Sequence, residues 1–271
     1  MDWLSAVRQL RDDGLPGVLV TVLEVRGHAP RDAGAKMVVG ADHTWGTVGG
    51  GNLEESAMRR AREMIAAGVA TPEVQESALS EHAPTPHGQQ CCGGVVRLLL
   101  EPLPARAVVA IFGMGHVGYE LARIMSRLEV QLHLVDTRTD QLDPLRLADV
   151  TDGLADVTVH RAVAPESVLT RLPRGSHVLV MTHDHAEDLT LCDAALRHPR
   201  LESIGLIGSA AKWARFQVQL AAEGHPVDQI VRITCPIGLP DLKGKDPAVI
   251  AVGVAAELVR SMERAATLSS R

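Results

Sequence analysis

Along the first hundred residues the spacing of apolar positions changes several times, and each change marks an element. Residues 2–13 read as a short helix that Gly14-Leu15-Pro16-Gly17 ends. Val18–Val25 is a β-rich run, followed by the turn-prone Gly27-His28-Ala29-Pro30-Arg31. Ala35–Val39 and Thr44–Val48 predict a strand pair around Ala41-Asp42-His43. Three glycines then lead into Asn52–Ala67, where Leu53, Ala57, Met58, Ala61 and Ile65 recur at helical spacing. Further strands are expected at Val74–Leu79 and Val95–Leu100, separated by a loop of about fifteen residues rich in Pro, His, Gly and Cys. Loops of that length inside a domain are often functional.

Glu101-Pro102-Leu103-Pro104 reads as a linker, after which strands and helices alternate. Strands are expected at Val108–Phe112, Val130–Asp136, Val157–His160, Val178–Met181 and Ser203–Ile207, with a last short one at Ile230–Thr234. Helices are expected at His116–Arg127, Ala186–Arg197 and Ala210–Glu223, and a long one opens at Asp246-Pro247. That last helix is apolar on nearly all faces through Ala256, which predicts burial. The pattern predicts an α/β protein: a mixed α/β domain over residues 1–103, then a Rossmann-like parallel-sheet domain over 104–271.

Composition narrows the function. Hydrophobic residues make up 46% of the 271, enough for a sizeable core, but there are only three Trp, one Tyr and two Phe. The core must therefore be Val, Leu, Ile and Ala, and a flat ligand would find few rings to stack on. A net charge of −6 with no basic tail argues against nucleic acid as a partner. The start, Met1-Asp2-Trp3-Leu4, lacks signal-peptide character, and the longest apolar stretch is too short to span a membrane. Two of the four cysteines are neighbours, which disfavours a disulfide scaffold and suits a reducing cytoplasm.

Five segments carry candidate chemistry. Gly113-Met114-Gly115-His116-Val117-Gly118 lies between a strand and a helix, with Asp136 about twenty residues on. Gly113, Gly115 and Gly118 would admit a phosphate to the helix N-terminus, and Asp136 would suit a ribose hydroxyl. Gly46–Glu54 is a second glycine loop opening a helix; the amides of Gly49, Gly50 and Gly51 would form an anion nest, with Arg31 and Lys36 adding charge. A strand-to-helix turn without a ligand accounts for the same residues. Gln90-Cys91-Cys92-Gly93-Gly94 places two thiols in a glycine-flanked loop, suited to a soft metal, sulfur transfer or redox chemistry. Thr182–Asp188 offers His183 and His185 beside acids, as metal ligands or as a capped helix start with Asp184 as N-cap. In Gly205–Arg215, Ser209 caps a helix and Lys212 with Arg215 would steer an anion. Cys192 reads as core.

In order and together these segments resemble the XdhC/CoxI family of maturation factors for molybdenum hydroxylases. The resemblance runs from Ala29-Pro30-Arg31 and Gly34-Ala35-Lys36 through Gly46–Glu54, Gln90–Gly94, Gly113–Gly118, Thr182–Asp188, Gly205–Phe216 and Cys235–Leu239 to Gly244–Pro247. It implies a non-enzymatic chaperone with an N-terminal XdhC/CoxI domain and a C-terminal Rossmann domain. The implied cargo is the molybdenum cofactor, a phosphorylated pterin dithiolene. The implied partners are xanthine dehydrogenase, an L-cysteine desulfurase and a second copy of the chain. By the same resemblance Cys91 and Cys92 lie near molybdenum or its sulfur. Two other readings compete: an NAD(P)-dependent oxidoreductase built on the Rossmann glycines, and a metal-dependent hydrolase built on His183 and His185.

Overall fold

Val18, Val20 and Val22 alternate with less buried neighbours, the period-two pattern that gives a sheet one buried face. The computed structural model describes residues 1–79, 94–198 and 200–268. The chain divides into two compact units: Met1–Ala105 with the last turns of the C-terminal helix from Glu263, and Arg106–Met262.

The first unit opens with α1 (Trp3–Asp12), whose N-cap Asp2 accepts the Ser5 amide at 2.8 Å. Strands β1 (Gly17–Gly27), β2 (Lys36–Val39) and β3 (Thr44–Gly46) follow, then α2 (Gly51–Ala67), β4 (Glu73–Leu79) and β5 (Gly94–Leu103). The strands form an antiparallel sheet in the order β3-β2-β1-β5-β4. Val18, Val20, Val22, Val96, Leu98 and Leu100 pack with Leu53, Ala57, Ala61 and Met64 of α2. Ala6 and Leu10 of α1 form a separate cluster with Val38.

The expected linker is partly strand. β5 continues through Leu103, with Pro102 opposite Val18 and Glu101 opposite Leu19. Proline is tolerated because β4 pairs with β5 only as far as Leu100, so the last residues of β5 have a strand neighbour on one side alone.

The second unit runs β6 (Val108–Phe112), α3 (His116–Met125), β7 (Gln131–Asp136), a 3-10 turn at Thr139–Leu142, α4 (Ala148–Thr151), β8 (Asp156–Arg161) and α5 (Glu166–Leu169). It continues with β9 (His177–Val180), α6 (His185–Arg197), β10 (Ser203–Leu206), α7 (Ala210–Ala222), α8 (Val227–Ile230), β11 (Ile233–Thr234) and α9 (Pro247–Leu268). The four short helical turns are too short to show a helical period; α8 takes Ile230, so the expected strand at Ile230–Thr234 is reduced to Ile233–Thr234. All six strands are parallel, in the order β11-β10-β9-β6-β7-β8. This is the doubly wound Rossmann arrangement, and the strand order reverses between β6 and β9.

Every residue of β6 is buried, as a central strand covered on both faces requires. Val108, Ala110 and Phe112 meet Leu191, Cys192 and Leu196 of α6 and Phe216 and Leu220 of α7. Val109 and Ile111 meet Leu121 and Met125 of α3 and Ala251, Val254 and Leu258 of α9. α9 is not buried all round as its sequence predicts, because Val252 is 53% exposed.

Candidate ligand-binding crevice

The glycine loop of the first unit already holds an anion of its own. Glu54, one turn into α2, accepts the amides of Val48 and Gly50, each at 3.1 Å, and the Thr47 hydroxyl. The Gly49 amide goes to Thr47 Oγ1 at 3.1 Å. Gly50 and Gly51, at φ +73° and +61°, shape the turn into the helix. The expected nest is thus closed by an internal carboxylate, and Lys36 adds no charge to it: its ammonium donates to Thr21 Oγ1 at 2.9 Å and lies 5.4 Å from the Trp3 ring centre. Gly94 opens β5 where a Cβ would come within 2.6 Å of the His28 carbonyl, so backbone packing alone explains that glycine. Cys91, Cys92 and Gly93 lie outside the described residues.

The second unit offers an open crevice at the carboxyl ends of its strands, beside the β6/β9 reversal. Its three glycines have different jobs. A Cβ on Gly113, which sits at φ +103°, would strike the backbone of Met181 and Thr182 in the loop after β9. A Cβ on Gly118 would strike the Gly113 carbonyl, so that glycine lets α3 pack against its own loop. Gly115, the N-cap of α3 at φ −66°, would carry a Cβ that meets nothing within 4 Å. That backbone is approachable from outside.

Two clefts, of about 780 and 680 Å³, share Thr182, His183 and Ile207. Gly115, His116, Arg138 and Arg146 line the larger; His185, Ser209 and Arg215 line the smaller. Of the helices that begin here, α6 and α7 are closed by their own caps: Asp184 accepts the Ala186 amide at 2.7 Å, and Ser209 the Lys212 amide at 3.2 Å. α3 has no side-chain cap, which leaves its N-terminal amides to an external acceptor.

Asp136 departs from its expected role. One oxygen accepts the Met114 amide at 2.7 Å and Arg138 Nη2 at 2.9 Å; the other accepts the Arg138 amide at 2.9 Å and Nε at 3.0 Å. Its side chain is 2% exposed. Burial pushes its pKa up, but the bonds from Arg138 and Met114 outweigh burial and hold the carboxyl below its usual range. The acid braces the glycine loop and presents no open acceptor to a ribose. Arg146 is fixed nearby, with Nη1 donating to the carbonyls of Met114 and Gln141 at 2.9 and 2.7 Å and its guanidinium 4.7 Å from the Tyr119 ring centre.

Lys212 does not steer anions either. Its ammonium is paired with Asp188 and donates to the Ile207 carbonyl at 2.9 Å; the two side chains are 8% and 0% exposed. Asp188 also accepts the Thr182 amide at 3.0 Å and its hydroxyl at 2.8 Å. The pair therefore ties together the two loops common to both clefts. Cys192 is core, and burial raises its thiol pKa; burial raises that of Cys235 too. His183 and His185 line the crevice, but among the described residues no three His, Cys, Asp or Glu side chains are grouped to hold a metal ion.

The family model for the XdhC Rossmann domain matches residues 109–258, more than half of the chain, and that for the XdhC and CoxI family matches residues 10–76. The chain belongs to the XdhC family. This XdhC-family protein is 23% identical to the Uncharacterized protein YqeB of Escherichia coli strain K12 over 96% of its own length. That match covers 46% of YqeB, so the chain spans about half of that relative. It is 26% identical to the Molybdenum cofactor insertion chaperone PaoD of the same strain, over 90% of this chain and 83% of PaoD. Among solved structures, one described as a xanthine dehydrogenase from Bacillus halodurans aligns over 97% of this chain and 96% of its own at 19% identity, with a TM-score of 0.49.

Within this XdhC-family chain the fold gathers Gly113, Gly115, Gly118, Asp136, His183, His185, Ser209 and Lys212 at one sheet edge, while Gly49, Gly50, Gly51 and Gly94 belong to the other unit. Sequence reasoning missed Glu54 as the nest's occupant, Arg138 as the partner of Asp136, and Arg146. Arg138 had a signal, standing two residues past the acid at the end of a strand. Arg146 had none, since the turn before α4 that delivers it has no apolar period.

Proposed function

We propose that this protein is a molybdenum cofactor insertion chaperone. On this reading it binds the cofactor, shields it while a cysteine desulfurase supplies the terminal sulfur, and delivers it to a xanthine dehydrogenase. It would act in the cytoplasm as a homodimer and catalyse no turnover of its own. The observation that carries the reading is the presence of both XdhC-family segments, in order, in a chain that covers 83% of the cofactor insertion chaperone PaoD.

The crevice suits such a cargo. An open glycine N-cap with two guanidiniums in the same cleft favours a phosphate, and the scarcity of rings leaves backbone amides and charge to hold a pterin. Cys91 and Cys92 are proposed to meet the molybdenum or its sulfur.

The test is to express the full chain in cells that make the cofactor, purify it without air, and measure molybdenum and the fluorescent oxidised pterin. Near-stoichiometric amounts of both are expected, reduced in Cys91→Ala or Cys92→Ala protein. Folded protein that takes up no cofactor when supplied with it would defeat the proposal, and steady NAD(P)H-dependent turnover of a hydroxy or keto substrate would favour an oxidoreductase.

A further inference from the structure

The crevice has the glycines and strand order of a dinucleotide site, yet the group that would read a ribose is closed. A diol is bound by a carboxylate with open acceptor positions facing it. Asp136 receives four hydrogen bonds from the chain itself, three of them from Arg138, and is almost completely buried. To take a diol, at least one charge-assisted bond would have to break in a desolvated place, which costs more than the bond is worth in water. The opposite holds a short distance along the loop. Gly115 presents backbone where, beyond its own chain neighbours, no atom lies within 4 Å of where a Cβ would stand, on a crevice helix without a side-chain cap. In the same cleft the hydrogen bonds of Arg146 go to carbonyl oxygens and not to a carboxylate.

We propose that Arg138 is the specificity-determining residue of this crevice: by holding Asp136 it turns nicotinamide dinucleotides away, and the crevice takes a ligand recognised through a phosphate at Gly115 and Arg146. This deepens the chaperone reading, on which only the identity of the phosphate's owner rests. The phosphate is either the one on the pterin cofactor or one on a separate nucleotide, and the two sources are separable.

The full chain and its Arg138→Ala, Arg138→Gln and Gly115→Ala variants are titrated with NADH by fluorescence and with inorganic pyrophosphate by calorimetry. Wild type is expected to give no saturable NADH signal and to bind pyrophosphate. Either Arg138 variant should gain a saturable NADH signal in the concentration range where wild type gives none. Gly115→Ala should unfold within a few degrees of wild type but bind pyrophosphate at least about tenfold more weakly, because its methyl group fills the approach and meets no other part of the chain. Micromolar NADH binding by wild type, folded Arg138 variants that gain none, or undiminished pyrophosphate binding by Gly115→Ala would each overturn the proposal. In cofactor-producing cells, Gly115→Ala protein should lose the molybdenum that wild type retains. Retention by both would show that the cofactor's phosphate is seated elsewhere and overturn the link to this crevice while sparing the chaperone reading. Wild type that binds pyrophosphate but holds no cofactor would defeat the chaperone reading and support a nucleotide ligand here.

Discussion

Two glycine-rich turns lead from strand to helix in this protein, and they are opposites. At Gly49–Gly51 the amides close on Glu54 from the same chain; at Gly113–Gly118 the helix N-terminus has no acceptor of its own. Both turns expose backbone donors, and both would pass for phosphate loops on composition. In both turns a carboxylate of the chain takes a loop amide, and the difference is where: Glu54 reaches the glycine at the helix start, Gly50, while Asp136 takes only Met114 and leaves the start of α3 at Gly115 without a side-chain acceptor. A glycine loop is a ligand site only if the fold has not already supplied the anion.

The largest test acts on the crevice floor. Lys212→Met leaves Asp188 buried without its cation and should lower stability by about 3–5 kcal/mol, read by urea unfolding. Both clefts should lose ligand affinity, since Thr182 and Ile207 lose their common anchor. The first unit's loop should be indifferent, and equal protection of the Gly50 amide in hydrogen exchange would show it.

A second test uses acid. His133 and His160 share an Nδ1–Nε2 hydrogen bond of 2.9 Å between β7 and β8. Burial, then the charge of His160, lowers the His133 pKa to about 4. Since the folded value lies below the unfolded one of about 6.5, the unfolded chain binds the extra proton. Stability is therefore complete above pH 6.5 and falls as pH drops toward 4, by roughly 3 kcal/mol at most. NMR titration of the His133 ring checks this; a midpoint near 6.5 would refute it.

The third test empties the first nest. Glu54→Gln removes the carboxylate charge from three donors and should cost about 1.5–3 kcal/mol. Glu54→Ala should also create a phosphate or sulfate site at Gly50, making the first loop resemble the second, with NMR shifts of the Val48 and Gly50 amides as readout. The smallest stability effect belongs to Gly115→Ala, within about 1 kcal/mol of wild type, because loss of a glycine N-cap is offset by a stiffer unfolded chain. Gly118→Ala, by contrast, forces a Cβ onto the Gly113 carbonyl and should destabilise by about 1–3 kcal/mol or more.

Much of the architecture was legible because it rests on local signals. Strand β6 is a continuous apolar run, α2 repeats its apolar residues at helical spacing, and Asp184 and Ser209 stand where caps belong. Glu101–Pro104 reads as a linker for its two prolines, yet its first three residues are strand, and whether a strand can carry a proline depends on where its neighbour stops.

By itself the sequence determined the order and type of the long elements, the change from mixed to alternating grammar, and the family through motifs kept in register along the chain. Only the tertiary structure decided which donors and charges remain available. Lys212 and Asp188 are 24 residues apart, and Asp136 and Met114 are 22 apart. Such pairs form because parallel strands bring distant loops to one sheet edge. Once formed they neutralise groups that a linear reading counts as free, since a buried charge must find a partner and a surface one need not.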